Sequence, residues 1–125
     1  MSSHSQPAPD YHAHIYFGAE TRDTAKTLQQ TITDVFPDAD MGRFHEKDVG
    51  PHPRWSYQVA FPLAMYAEIV PWLMMNRDGL TIFLHPESGD VIADHEQNAI
   101  WMGEMLPLNM EPLIKFVESE NKDKS

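Results

Sequence analysis

Seven residues near the start of the chain, Tyr11-His12-Ala13-His14-Ile15-Tyr16-Phe17, constrain it most. Aromatic and β-branched residues followed by Gly18 predict a strand. Side chains alternate across a strand, so His12, His14 and Tyr16 share one face, and Ala13, Ile15 and Phe17 the other. The second set suits a core and the first does not. Two imidazoles at i and i+2 stand about 6.5–7 Å apart along the backbone, close enough to converge on one metal ion. Such a pair is also ordinary on exposed strands, so its meaning depends on what the fold brings to it.

The rest of the chain alternates helices and strands. Residues 1–10, with Pro7 and Pro9, read as a flexible lead. After Gly18, the residues Ala25, Leu28, Ile32, Val35 and Phe36 fall on one helical face, with Thr21 as candidate N-cap and Pro37 as the stop. Met41 to Lys47 carries a weak strand pattern. Two prolines keep Gly50-Pro51-His52-Pro53 out of regular structure. Trp55 to Phe61 reads as a strand with Trp55, Tyr57, Val59 and Phe61 on one face. A second helix starts at Pro62 and carries Leu63, Tyr66, Ile69, Val70, Leu73 and Met74. Pro71 inside it costs about 3 kcal/mol unless the helix kinks or restarts as two. Leu80 to His85 is the last clear strand, with Thr81, Phe83 and His85 opposite Leu80, Ile82 and Leu84. Ala93 to Gly103 is ambiguous, with a helical turn near Glu96 to Trp101. The expected organisation is a lead at 1–10, one domain at 11–110, and a tail at 111–125. That tail starts as a helix through Leu113, Phe116 and Val117 and frays into a charged, partly disordered end.

This order, βαββαβ, predicts an α+β, ferredoxin-like fold: an antiparallel-type sheet with its helices on one face. The first and third strands are expected at the centre and parallel, with the second and fourth antiparallel at the edges. The opposite, open face then carries His12, His14, Tyr16, Ser56, Gln58, Thr81, Phe83 and His85. In that arrangement His52, before the third strand, and His85, closing the fourth, both arrive at the His12 end. His95 folds back from a short turn. Five of the seven histidines gather at one end of the sheet.

Neutral imidazole suits Zn, Fe, Cu and Ni, and three ligands with open positions make a reactive site. Plainer roles compete at each residue. His before Pro is an extended turn residue. Asp94 is either a partner that orients His95 or a helix N-cap. Tyr16 and Phe83 suit a surface apolar patch, and Trp72 and Trp101 suit packing.

Composition narrows the partners. Among 125 residues, 19 are acidic and 9 basic, a formal charge of −10. No Lys/Arg cluster interrupts that excess, so neither nucleic acid nor an anionic membrane is an expected partner. The absence of cysteine excludes disulfides and thiolate metal sites. No stretch has the pattern of a signal peptide or a membrane span, and a cytoplasmic location is the expectation.

Six motifs then occur in register: Tyr-His-Ala-His-Ile-Tyr-Phe, Gly-Pro-His-Pro, Trp-Leu-Met-Met-Asn-Arg, Leu-His-Pro-Glu-Ser-Gly-Asp, Asp-His and Ala-Ile-Trp-Met-Gly. Together, over about residues 11–108, they resemble the DOPA 4,5-dioxygenase family. The resemblance implies a catechol-cleaving extradiol dioxygenase that uses Fe(II) and O₂, with a ferredoxin-like fold and a homodimeric assembly. Its substrate would be a small aromatic diol such as DOPA. On the faces set out above, His12, His14 and His85 are the candidate metal ligands, and His52 and His95 the candidate acid/base pair, with either of these two the alternative third ligand. Tyr16, Phe83 or Trp55 would border the ring, and Arg77 would meet a substrate carboxylate, with an ordinary surface salt bridge as its plainer role. Two other readings stand beside it: a zinc-dependent hydrolase in the same histidine site, and a non-catalytic module that binds a small molecule.

Overall fold

The structure is a computed structural model that describes residues 4–123. Five strands form one sheet: β1 (Asp10–Phe17), β2 (Asp40–Met41), β3 (Trp55–Pro62), β4 (Thr81–Pro86) and β5 (Ile100–Met102). Four α-helices accompany them: α1 (Arg22–Val35), α2 (Leu63–Asn76), α3 (Val91–His95) and α4 (Glu111–Asp123). The sheet order is β2-β3-β1-β4-β5, and every neighbouring pair is antiparallel.

The expected α+β, ferredoxin-like order is therefore present, with one correction. β1 and β3 lie side by side but run antiparallel, Asp10 opposite Pro62 and Phe17 opposite Trp55. Each βαβ crossover leaves a gap one strand wide between its own two strands. β3 fills the gap between β1 and β2, and β1 fills the gap between β3 and β4. Parallel strands are thus never neighbours here. A fifth strand also lies in the stretch expected to hold a helical turn: the turn comes earlier, as α3, and Ile100–Met102 pairs with β4.

Alternation explains the core. Ala13, Ile15 and Phe17 of β1, Tyr57, Val59 and Phe61 of β3, and Ile82 and Leu84 of β4 point to one face. There they meet Ala25, Leu28 and Ile32 of α1 and Ile69, Val70 and Leu73 of α2. The Tyr57 hydroxyl donates to the Ala25 carbonyl at 3.1 Å, so the one polar atom of that ring is satisfied inside the core. Trp55 packs edge-on against Phe17 on this helix-covered side, away from the histidine face and so from the substrate ring it was expected to border. α2 runs unbroken through Pro71 rather than restarting as two helices. The charged C-terminal stretch is helical as far as Asp123. Lys124 and Ser125 lie outside the described residues, as do Met1 to Ser3 of the lead.

The second face of the sheet is not open. His14, Tyr16, Ser56, Thr81, Phe83 and His85 are all buried on it. The loop holding His52 and the short helix α3 lie against it. The amide of Asn109 donates to the carbonyl of Pro51 at 2.8 Å and ties the segment after β5 to that loop. No helix among the described residues is long and apolar enough to cross a membrane.

Candidate metal centre

β1 supplies His12 and His14, and β4 supplies His85. The three offer nitrogen atoms that all lie within 4.8 Å of one another. His14 Nε2 and His85 Nε2 are 2.9 Å apart. His85 Nδ1–H donates to the Pro86 carbonyl at 3.0 Å, which leaves Nε2 as the lone-pair nitrogen. Glu87 Oε1 lies 3.3 Å from His12 Nδ1 and 3.5 Å from His85 Nδ1. A carboxylate on the far nitrogen of a ligating histidine fixes the ring and raises its basicity. Glu87 was missed in the sequence, although the signal was there. It stands two residues beyond His85 on an extended segment, and so returns to the same side.

Burial keeps these imidazoles neutral. It holds His14 well below the ordinary range, helped by repulsion from His52 and His85. It pushes His85 down to about 3, with His95 adding to the effect. His12 is lowered by burial, against the opposing pull of Glu87. Neutral imidazole is the form that ligates a metal, so the donor set fits a divalent transition metal.

Two more histidines frame the pair. His52 packs on His14 with ring centroids 4.1 Å apart, and His95 packs on His85 at 4.0 Å. The five expected histidines do come together, but along β1 rather than at one end of the sheet. Because β3 is antiparallel to β1, His52 enters at the Tyr16 end, where its Nδ1 is 2.6 Å from the Tyr16 hydroxyl. Burial, then His95 and His45, push His52 down to about 4. Burial alone raises the Tyr16 phenol above its ordinary value.

The other candidates fall in different places. Phe83 is fully buried, packed between the histidines and Trp101, whose ring is tilted against it with centroids 4.5 Å apart. Trp101, expected to be packing alone, is the half-exposed ring of the group and also faces Tyr16 at 6.0 Å. Arg77 caps α2 and donates to the Leu80 carbonyl at 2.8 Å. Asp94 neither orients His95 nor caps a helix. It is buried and accepts from the Ser88 amide and hydroxyl at 2.9 and 2.6 Å, while Asp90 caps α3. His95 instead donates from Nδ1 to the Val91 carbonyl at 2.8 Å.

Three cavities reach this frame from different sides. One of about 520 Å³ includes His85, Tyr11 and Tyr66. One of about 330 Å³ is acidic and holds His12, Asp10, Asp38, Asp40 and Glu87. One of about 550 Å³ is lined by His95, Trp101 and an apolar run that includes Met105, Leu106 and Met110.

The model of the Dopa 4,5-dioxygenase family matches residues 11–112. The chain belongs to that family. Within it, a DOPA 4,5-dioxygenase from Amanita muscaria is 32% identical over 111 residues, covering 81% of this chain and 48% of its own. An uncharacterised 21.2 kDa protein from Botryotinia fuckeliana is 35% identical over 121 residues, covering 88% of this chain and 66% of its own. The chain thus spans between about half and two thirds of the length of these relatives. A crystal structure from Nostoc punctiforme, of a protein whose dioxygenase assignment is itself provisional, superposes with a TM-score of 0.84 at 42% identity. It covers 87% of this chain and 94% of that one.

Proposed function

We propose that this protein is an extradiol dioxygenase that opens the ring of a catechol, with Fe(II) held by His12, His14 and His85. The observation that carries the reading is the meeting of three imidazoles, those of His14 and His85 buried and that of His12 half-buried, within 4.8 Å, in a member of this family. In the reaction both atoms of O₂ enter the product. The carbon–carbon bond beside the two hydroxyls breaks, and a muconic semialdehyde forms. Iron(II) at the three nitrogens would supply the Lewis-acid and electron-transfer chemistry that joins a catechol to O₂.

The protein's own groups do the rest. The Pro86 carbonyl and Glu87 hold the ligating rings in orientation. The apolar cavity beside Trp101 takes the aromatic ring and leads it to His95. His52 and His95 pack on either side of the central pair, and at least one of them takes and returns the proton of the diol. Burial of the surrounding face keeps water from the reacting groups.

Anaerobic loading with Fe(II), followed by catechols including DOPA and caffeate and then O₂, tests the reading. Oxygen uptake with a yellow ring-opened product is expected. Metal-loaded protein that consumes no oxygen across the panel would sink it.

A further inference from the structure

The two histidines that flank the central pair are held in opposite proton arrangements. For His95 the assignment follows from one contact. Its Nδ1 faces the Val91 carbonyl at 2.8 Å, and a carbonyl only accepts, so the proton is on Nδ1 and Nε2 carries the lone pair. For His52 it follows from satisfying a buried hydroxyl. Tyr16 is 1% exposed, and the hydroxyl's hydrogen-bond partner is His52 Nδ1 at 2.6 Å. Were Nδ1 to carry the proton, the phenolic hydrogen would be left without an acceptor, at a cost that buried donors rarely bear. The hydroxyl therefore donates to Nδ1, and the proton of His52 sits on Nε2.

Resting on the dioxygenase reading above, we propose that Tyr16 divides the labour between these two histidines. Tyr16 is a positioning residue: it holds His52 as a neutral Nε2–H donor, and His95 alone accepts and returns the proton of the diol. The proton ledger closes on His95. Its Nε2 takes one proton from a catechol hydroxyl, becomes an imidazolium, and gives that proton back to an oxygen of the opening ring. His52 offers a hydrogen bond to a developing oxyanion and keeps its proton. Giving it up would leave an imidazolate unless Tyr16 became a buried phenolate, and both are costly in this face. The sandwich geometry suits the split, because each flanking ring touches a different member of the central pair.

Two measurements test this on the full chain. In two-bond ¹H–¹⁵N spectra of metal-free and zinc-loaded protein, His52 should show protonated Nε2 and bare Nδ1, and His95 the reverse. In Tyr16→Phe the His52 pattern should move to Nδ1–H or a mixture, and the His95 pattern should stay. A protonated Nδ1 on His52 in the wild type, or a pattern unmoved by Tyr16→Phe, overturns the proposal. If Tyr16→Phe does not fold, the wild-type spectra still decide it. The second measurement is kinetic. Gln places an amide donor near the position of Nε2 but cannot shuttle a proton, so His52→Gln should keep kcat within about tenfold. His95→Gln should lower kcat by about 100-fold or more at unchanged metal content. Equal losses in the two variants would overturn the split. A wild type inactive on every catechol would sink the dioxygenase reading instead and leave the tautomers to the spectra.

Discussion

His14 and His85 meet on a diagonal. The residue directly opposite His85 across β1 and β4 is His12, and His14 lies opposite Phe83, yet the two Nε2 atoms of His14 and His85 are 2.9 Å apart. Diagonal neighbours on adjacent strands are about 7–8 Å apart at Cα, within reach of long side chains. The lean of both rings toward one point is what lets a pair of strands offer a candidate metal centre.

Removing either ring should therefore abolish that centre. His14→Ala and His85→Ala should each bind Fe(II) or Zn(II) at least ~100-fold more weakly than the wild type, since even loss of an outer partner costs ~10–100-fold. Metal content after reconstitution and desalting measures it. Near-stoichiometric metal in both variants would show that the ligands lie elsewhere.

Glu87 should matter without touching the metal. Its carboxylate faces Nδ1 of both His12 and His85. Glu87→Gln should weaken metal binding by roughly 10–100-fold while the fold, read by circular dichroism, stays intact. An affinity equal to that of the wild type would reduce Glu87 to a surface charge.

Stability should fall early in acid. His52 and His85 have pKa values of about 4 and about 3 in the fold, against 6.5 when unfolded. Between those limits the unfolded chain binds protons that the folded chain does not, so stability rises with pH there. The contribution is complete above about pH 6.5. It is lost downward at up to about 1.4 kcal/mol per pH unit for each histidine, until His52 charges near pH 4 and His85 near pH 3. Urea unfolding of metal-free protein at pH 7.5, 6.0 and 5.0 reads the slope. Equal midpoints at the three values would contradict it.

Trp101 and Met105 should govern substrate binding. Both line the apolar cavity at His95. Trp101→Ala removes a ring that faces Phe83 and Tyr16, and should raise KM for a catechol by about tenfold with metal content unchanged. Met105 is 81% exposed, so Met105→Glu should fold normally and raise KM through the added charge. Unaltered KM in both variants would move the ring to one of the other two cavities.

Much of this was legible in the chain. The period of two along β1 separated the helix-covered core from the histidine-bearing face at every residue from Ala13 to Phe17. The order of elements named the fold. What failed was strand direction. Hydrophobic alternation looks the same whichever way a strand runs, so nothing in Trp55 to Phe61 marks β3 as antiparallel to β1. That error placed His52 at the wrong end and hid its contact with Tyr16. β5 was missed because a three-residue strand gives too short a pattern to separate from a helical turn. Trp101 was read as packing alone because the rings it faces, Tyr16 and Phe83, are distant from it in sequence.

The tight packing of both sides of β1 has a further consequence for how the protein tolerates change. Ala13, Ile15 and Phe17 are sealed against helices, while His14 and Tyr16 are sealed among rings. Adding or deleting one residue inside this strand would turn every later side chain over. Imidazole and phenol would then be driven into hydrocarbon, and isoleucine and phenylalanine would take the places of His14 and Tyr16. A frame error of one residue would cost the molecule its core and its chemistry in the same event, so neither could drift along β1 without the other.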